Sequence, residues 1–581
     1  MTTSNPGGES RLEKPCLVET SQGFSVSYKN RFLYSKYAPK RAIVQAVQSM
    51  TFLPNTLILC ASPVLWHGLS EILEKAGDGC LVLGIETDRE LFRLAQSELE
   101  KFKAERGGAD GGAKCRVELL PIDEIRRIVE IMTGKEKSKI DFPKPHTLKR
   151  AVMVEMSGGT AFDRDFYREI AAAAENAVAS FWKNRITLTK LGRLFSKNLL
   201  DNISSIPDAQ NCKEFFGRIG NPIVVFGAGE GTQKLLDDID RRIFERMCVV
   251  AVDAAVPSLK ANGVRIDFIA AVEAQLAIEK AYIGGGAADS IIFADMASRP
   301  AVTRHDNKGV CFFASEFADT NFFRRVTKED FFPAVVPPLG SVGLTATYLA
   351  LLLRKDQSVP VFVTGLDFSY SLGATHTKGA PQTIQRQSTC DRLHPAENYE
   401  AAFKAGAQRT VGKDGAAAFT DITLYSYARN FQATFEGQRN LFDIGKSGLE
   451  LGLTKIDASG SDFWNMMSNF QKFSLAKQKC GRNTESAKKI LDFLENEEKS
   501  LERIKELLIY GKDVEKCGRT VESELWELIT DREYLFLHFP DGHSFDAGNI
   551  SQLKRIRGEA DFFLKTIRNG IRRLRPTPPS P

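Results

Sequence analysis

Ile223 to Leu236 reads IVVFGAGEGTQKLL: an apolar run, three alternating glycines at 227, 229 and 231, then a helix-forming stretch. Glycine permits a sharp turn and lets a phosphate come close to the backbone. A helix that starts behind the turn presents free N–H groups to an anion. Thr232 stands where a dinucleotide fingerprint would carry its third glycine. The expected chemistry is therefore a nucleotide-phosphate cradle on Gly227, Gly229, Glu230 and Gly231, with a plain strand-to-helix turn as the alternative.

Two apolar runs downstream end in acids. CVVAVDAAV carries Asp253 and FIAAVEAQ carries Glu273. An acid on an apolar strand is costly unless it is solvated, paired or used. At the carboxyl edge of a parallel sheet such acids face the ligand crevice. Asp253 and Glu273 could hold ribose hydroxyls, a base edge or a metal; capping acids are the bland reading. PPLGSVGLTATYLALLL places Gly340 and Ser341 before an apolar helix, a second anion cradle. VPVFVTGLDFSYSLGATHTKG then brings a strand, Asp367 and a loop with His376. A histidine beside a strand-end acid is a general-base candidate. His394, in DRLHPAENYEAAF, is its rival, and a merely exposed loop histidine is the alternative for either.

These residues need a sheet to hold them. The runs PIVVFGAG, CVVAVDAAV, FIAAVEA, SIIFADM, VCFFAS and PVFVTGLDF lack strict alternation, as strands covered on both faces do. The expected fold class is α/β: a central Rossmann-like, mostly parallel sheet domain at 204–394. A smaller α/β domain with a helical connector (23–203) precedes it, and a mostly helical region (395–574) follows. Residues 1–22 and 575–581 read as a flexible start and a disordered tail. In the first domain NTLILCASP, GLSEILEKAG and GCLVLGIETD form a strand, helix, strand unit. Glu86 and Asp88 sit where a ribose-binding acid would, but the first loop lacks the glycines, so a packing domain is the reading taken. In the last region Ile490, Leu494, Leu501, Ile504 and Leu508 make one helical stripe. The basic end after Ser551 reads as a solvated face, with docking of an acidic partner as the alternative.

With 581 residues, 43% hydrophobic and 26% charged, the composition is that of a soluble globular protein. A net charge of +5 argues against a dedicated nucleic-acid binder. Ten cysteines without CxxC or zinc spacing read as reduced thiols of a cytosolic protein. No signal peptide is read at MTTSNPGGES, and no run of 18 apolar residues suggests a membrane span.

The order strand–GAGEG–helix, VVAVDAAVPSLKANGVRIDFIAAVEAQ, PPLGSVGLTATYLALLL, VFVTGLDFSY and ATHTKG resembles the motility-associated factor (Maf) family of flagellin glycosyltransferases. YSKYAPKRAIVQA and NRITLTKLGRLFSKNLLDNI resemble its N-terminal signatures, so the resemblance runs from residue 30 to about 460. It implies a cytoplasmic enzyme moving pseudaminic or legionaminic acid from a CMP-activated donor to Ser/Thr of flagellin, for flagellar assembly and motility. It also implies a central domain similar to bacterial sialyltransferases and to an archaeal hydroxymethylpterin diphosphokinase. The sialyltransferases hold CMP with asparagines where this chain has Ala228, Asp253 and Glu273, a departure that leaves room for a metal or another activated donor. On this reading the partners are flagellin and a nucleotide-sugar donor, with no nucleic acid. Two alternatives stay open. One is a pterin or nucleotide diphosphokinase using magnesium on Asp253, Glu273 and Asp367. The other is a non-catalytic flagellin-binding chaperone.

Overall fold

The computed structural model describes residues 14–105, 115–133, 136–475, 481–510 and 519–575. It divides into two compact units, Met1–Thr187 and Leu188–Pro581.

The first unit opens with an antiparallel sheet of β1 (Cys16–Thr20), β2 (Gly23–Tyr28) and β3 (Arg31–Phe32). The flexible start expected over 1–22 thus contains a strand, because the β2 ladder satisfies its backbone groups; residues 1–13 lie outside the described residues. A parallel sheet follows from β4 (Thr56–Ala61), β5 (Cys80–Ile85), β6 (Cys115–Leu119) and β7 (Arg150–Glu155), in the order β6-β5-β4-β7. Both faces are covered, and alternate residues serve different cores. Leu57 and Leu59 pack with Ile128, Tyr167 and Ile170, while Ile58 and Cys60 pack with Ile43, Leu69 and Ile72. That explains the unbroken apolar run. The helical stretch expected over 162–203 is a helix at Arg164–Thr187, a π-turn at Leu188–Gly192 and a helix at Arg193–Ile203.

The second unit is built on one large parallel sheet. Its strands are β8 (Gln210–Asn211), β9 (Ile223–Phe226), β10 (Cys248–Val252), β11 (Phe268–Ala271), β12 (Ile291–Asp295), β13 (Gly309–Ser315), β14 (Ala334–Val336) and β15 (Val361–Thr364). A small antiparallel hairpin, β16 (Gln408–Val411) and β17 (Ala417–Thr420), stands apart, and β18 (Leu441–Asp443) and β19 (Thr454–Lys455) rejoin the sheet. The order is β14-β13-β12-β11-β10-β9-β15-β18-β19, with β8 also on β13. The chain winds outward from β9 to β14, returns through the Val342–Leu353 helix, and continues on the other side of β9. The topological switch, where open α/β sheets take ligands, therefore lies between β9 and β15.

The sheet runs past residue 394 into β18 and β19, and the C-terminal helices share its core. Ile490, Leu494, Leu501 and Ile504 are fully buried, in one apolar cluster with Ile567 and the sheet strands; Leu508 is partly buried against it. Glu497, 1% exposed, accepts from Arg532 Nη2 (2.9 Å) and Tyr534 Oη (2.9 Å) and pairs with Arg325. Basic side chains of the Ile550–Leu574 helix meet acids of this chain: Arg568 pairs with Glu498 and Glu502, Arg555 with Asp541, and Arg573 with Asp201. Among the described residues, no helix is long and apolar enough to cross a membrane. The expected disordered tail lies outside them, apart from Arg575.

Candidate active site

The Gly227 loop is held against the end of β15. Gly227 N–H donates to Thr364 O (2.8 Å), Gly229 N–H to Gly365 O (2.9 Å) and Gly231 N–H to Asp367 Oδ2 (2.7 Å). A Cβ at 227 would stand 2.2 Å from Gly365 O, and one at 229 or 231 would stand 2.6 Å from an Asp367 carboxylate oxygen. The three glycines are thus required by the approach of the neighbouring turn. The anion at this helix N-terminus is the protein's own: the Asp367 carboxylate, as the helix dipole favours.

Asp367 is 4% exposed. Oδ2 also accepts from Ser447 Oγ (3.3 Å), while Oδ1 is buried without a partner. Burial pushes its pKa up to about 6, against the pull of the Gly231 N–H and the Lys413 charge. Lys413 is itself buried in an ion pair with Asp443. Glu230 accepts from Ser371 Oγ and pairs loosely with Lys234 (3.5 Å).

Gly340 and Ser341 are placed differently. Gly340 is exposed in the left-handed region (φ +75°), where glycine is the unstrained residue. The Val342–Leu353 helix behind it has no side-chain cap from Ser341 and no acid in its first turn. Its N-terminal N–H groups are left for another acceptor.

Asp253 is 2% exposed at the end of β10. Oδ1 accepts from Ala254 N–H (2.8 Å) and Oδ2 has no partner. Burial drives its pKa to about 7, helped by the charge of Glu273. Glu273 is exposed, and its Oε1 accepts from Gln275 N–H (2.9 Å).

The structure brings one histidine to this edge and not the other. Thr377 N–H, next to His376, donates to Ala228 O (2.9 Å) in the glycine loop, and Thr377 Oγ1 lies 3.1 Å from Ser258 Oγ. His376 is half-buried with Nδ1 3.1 Å from Thr375 Oγ1. Burial lowers its pKa, which favours the neutral imidazole a general base needs. His394 is exposed and bonded to Asp391 (3.0 Å) in its own turn.

Seven buried side-chain oxygens among the described residues have no partner: those of Ser196, Asn198, Asn202, Asp253, Tyr282, Ser298 and Asp367. Buried polar groups are normally paired, so their grouping matters. Asp253 and Asp367 end β10 and β15, and Ser298 lies in the loop after β12. Asn198 and Asn202 reach the same edge from the Arg193–Ile203 helix. Asn198 Nδ2 donates to Ala274 O (3.2 Å) and Ala297 O (3.0 Å); Asn202 Nδ2 donates to Met296 O and Ser298 O (3.0 Å each). Their amide oxygens are left unpartnered.

A cavity of about 310 Å³ lies elsewhere, by β8 and β14, lined by Gln210, Lys213, Asp330, Phe331 and Lys489 among others. Its Lys489 is already paired with Asp330 (3.3 Å) and Glu485 (3.2 Å). The unpartnered oxygens make the carboxyl edge the stronger candidate.

Three comparisons with known proteins match this chain, one of them over the region of this edge. Residues 197–373 match the family model described as "6-hydroxymethylpterin diphosphokinase MptE-like". This is the similarity to an archaeal hydroxymethylpterin diphosphokinase expected of the central domain. A protein of Treponema pallidum (strain Nichols), described only as uncharacterized, is 29% identical over 573 residues, 95% of each chain. The solved MAf glycosyltransferase of Magnetospirillum magneticum AMB-1 aligns with 97% of this chain and 90% of its own, at 12% identity and a TM-score of 0.45.

The MptE-like segment contains all seven unpartnered oxygens except that of Ser196, which lies one residue before it, and ends three residues before His376. Sequence reasoning missed several residues within it. Asn198 and Asn202, four apart on an apolar helix face, were a readable signal in KNLLDN. So was Asp295 in SIIFADM, whose burial raises its pKa to about 6 while Ser315 and Ala297 donate to it. Tyr282, and beyond the segment Lys413 and Ser447, carry no local signal.

Proposed function

We propose that this chain is a glycosyltransferase of the cytoplasm. It moves a nonulosonic acid of the pseudaminic or legionaminic type from a CMP-activated donor to Ser/Thr hydroxyls of flagellin. The observation that carries this reading is the gathering of unpartnered buried oxygens at the edge of the large sheet, in the stretch that resembles nucleotide-handling enzymes. Such oxygens suit a ligand rich in donors, as a nucleoside is.

The roles we assign are these. The uncapped start of the Val342–Leu353 helix, with Gly340 and Ser341, takes the donor phosphate and stabilises it as it leaves. The Gly227 loop seats Asp367 and, through Ala228 O, fastens the turn that carries His376. Asp253 and Glu273 face the ribose or base. His376 takes the proton from the acceptor hydroxyl as that oxygen bonds the anomeric carbon and the bond to the phosphate breaks.

A diphosphokinase is the second reading, favoured by the printed description of the matching family. It needs magnesium on Asp253, Glu273 and Asp367. Those residues do not fit a shared ion: Asp253 and Asp367 are buried, Glu273 is exposed, and no group of three or more acids, histidines or cysteines among the described residues is arranged to hold one.

The test is the intact mass of flagellin from cells with and without this gene. A sugar-sized loss in the deletion, restored by the wild-type gene and not by His376→Ala, is the expected result. An unchanged mass would remove the glycosyltransferase reading.

A further inference from the structure

Asp253 Oδ2 and Tyr282 Oη are both unpartnered, on residues 2% and 1% exposed. They belong to stretches that pack together. A Cβ on Gly286 would meet Ala281 O at 2.9 Å and Val256 Cγ1 at 3.1 Å. The Asp253 carboxylate also helps burial to raise the Tyr282 phenol. The Tyr282 ring is fixed by stacking on His305, at 5.6 Å and 9°. An ionised carboxylate only accepts hydrogen bonds, and a phenol can donate one. A pair of neighbouring hydroxyls satisfies both, one donating to the carboxylate and one accepting from the phenol.

The segment packed over these stretches is 374–388. Thr377 Oγ1 meets Ser258 Oγ at 3.1 Å, and a Cβ on Gly379 would lie 3.2 Å from Ser258 Cα. Lys280 Nζ donates to Gln385 Oε1 (2.8 Å). Gly373 (φ +86°) and Gly379 (φ +84°) stand on either side of His376 in the left-handed region. We infer that Asp253 and Tyr282 form a corner that binds a vicinal diol, the ribose of the nucleotide, beneath a lid of residues 374–388 that carries His376. The inference rests on the nucleotide reading above and adds Tyr282 and the lid to it. Closure over the diol would then complete the catalytic arrangement, as lids do elsewhere.

The full-length protein and Tyr282→Phe are titrated calorimetrically with CMP and with 2′,3′-dideoxy-CMP. Phenylalanine keeps the ring and removes only the unpartnered hydroxyl. The wild type is expected to prefer CMP by roughly tenfold, the worth of one or two net hydrogen bonds. Tyr282→Phe is expected to lose most of that preference while the melting temperature of the free protein holds or rises. A preference equal in both proteins overturns the corner, as does CMP binding without any preference, and in both cases the nucleotide reading survives. A fall in the melting temperature of free Tyr282→Phe means that the hydroxyl serves the fold, and it also overturns the corner. Failure of the wild type to bind either nucleotide overturns both readings together.

Discussion

The chain contains two parallel sheets, one of four strands and one of ten, and their carboxyl edges differ. In the first unit Glu86 ends β5, is 1% exposed, and accepts from Ser62 Oγ (2.6 Å), Asp88 N–H (3.1 Å) and Tyr167 Oη (3.4 Å). Ser62 in turn receives Ser157 Oγ (3.0 Å), and the loop after β4 is filled by the buried Trp66, whose indole donates to Ala95 O (2.8 Å). Among the described residues of this unit no buried side-chain oxygen or nitrogen lacks a partner. In the second unit the corresponding acid, Asp253, has a free oxygen, and so do its neighbours. An acid at a strand end is thus no evidence of a site until its partners are counted: one edge is closed by its own side chains, the other leaves acceptors for a ligand.

The largest expected effect sharpens this contrast at the second edge. His376→Ala should slow transfer by roughly 10²–10⁴-fold, the usual worth of a general base, while His394→Ala should leave it within about twofold, both by single-turnover kinetics. Equal losses would move the site toward the exposed turn.

Exchanging the two acids for alanine tests the comparison directly. Glu86→Ala strands three donors and should cost roughly 2–4 kcal/mol in a denaturant titration, at about 1–3 kcal/mol for each unpaired group that cannot reach water. Asp253→Ala strands the Ala254 N–H and removes the interaction with the backbone of the exposed Glu273 and should cost about 1 kcal/mol, yet weaken CMP binding. Similar stability losses would break the distinction between the two edges.

The two glycine loops separate in the same way. Gly231→Ala drives a methyl into Asp367 and should cost roughly 1–3 kcal/mol by overpacking. Gly340→Ala makes only an ordinary contact with Tyr427 Cε1 (3.6 Å) and strains the backbone, at about 1–2 kcal/mol, but it should lower phosphate affinity more than Gly231→Ala does.

The smallest effect is on pH dependence. Burial raises the pKa of Asp253 to about 7, and of Asp367 and Asp295 to about 6, in the folded protein. The folded state therefore holds these protons longer than the unfolded chain. Their contribution is full below the unfolded values near pH 4 and is lost as pH rises to between 6 and 7. Melting temperature should decline across that window, and Asp253→Asn should flatten its upper part. A decline unchanged in Asp253→Asn would deny Asp253 its raised value.

Much of the frame was legible. The six apolar runs expected to be strands all enter the large sheet, because strands covered on both faces must be apolar throughout. β8, β14, β18 and β19 were not legible: at two or three residues they show no period, and only pairing defines them, β8 and β14 with β13, β18 with β15 and β19 with β18. The stripe from Ile490 to Leu508 is legible as a helix face because its spacing is helical. Its partner is not, since the stripe closes the core of the sheet that lies up to 280 residues earlier in the chain.

What the sequence by itself determined is therefore local: which segments are strands and helices, where glycine is required, and which acids sit at strand ends. Backbone sterics and apolar periodicity act over a few residues, so they can be read there. Only the tertiary structure decided what each group meets. It set Asp367 on the Gly231 N–H, left the similar start at Gly340 uncapped, carried His376 to the glycine loop, and satisfied Glu86 while leaving Asp253 open. Hydrogen bonding depends on contact, and these contacts join residues tens to more than a hundred positions apart.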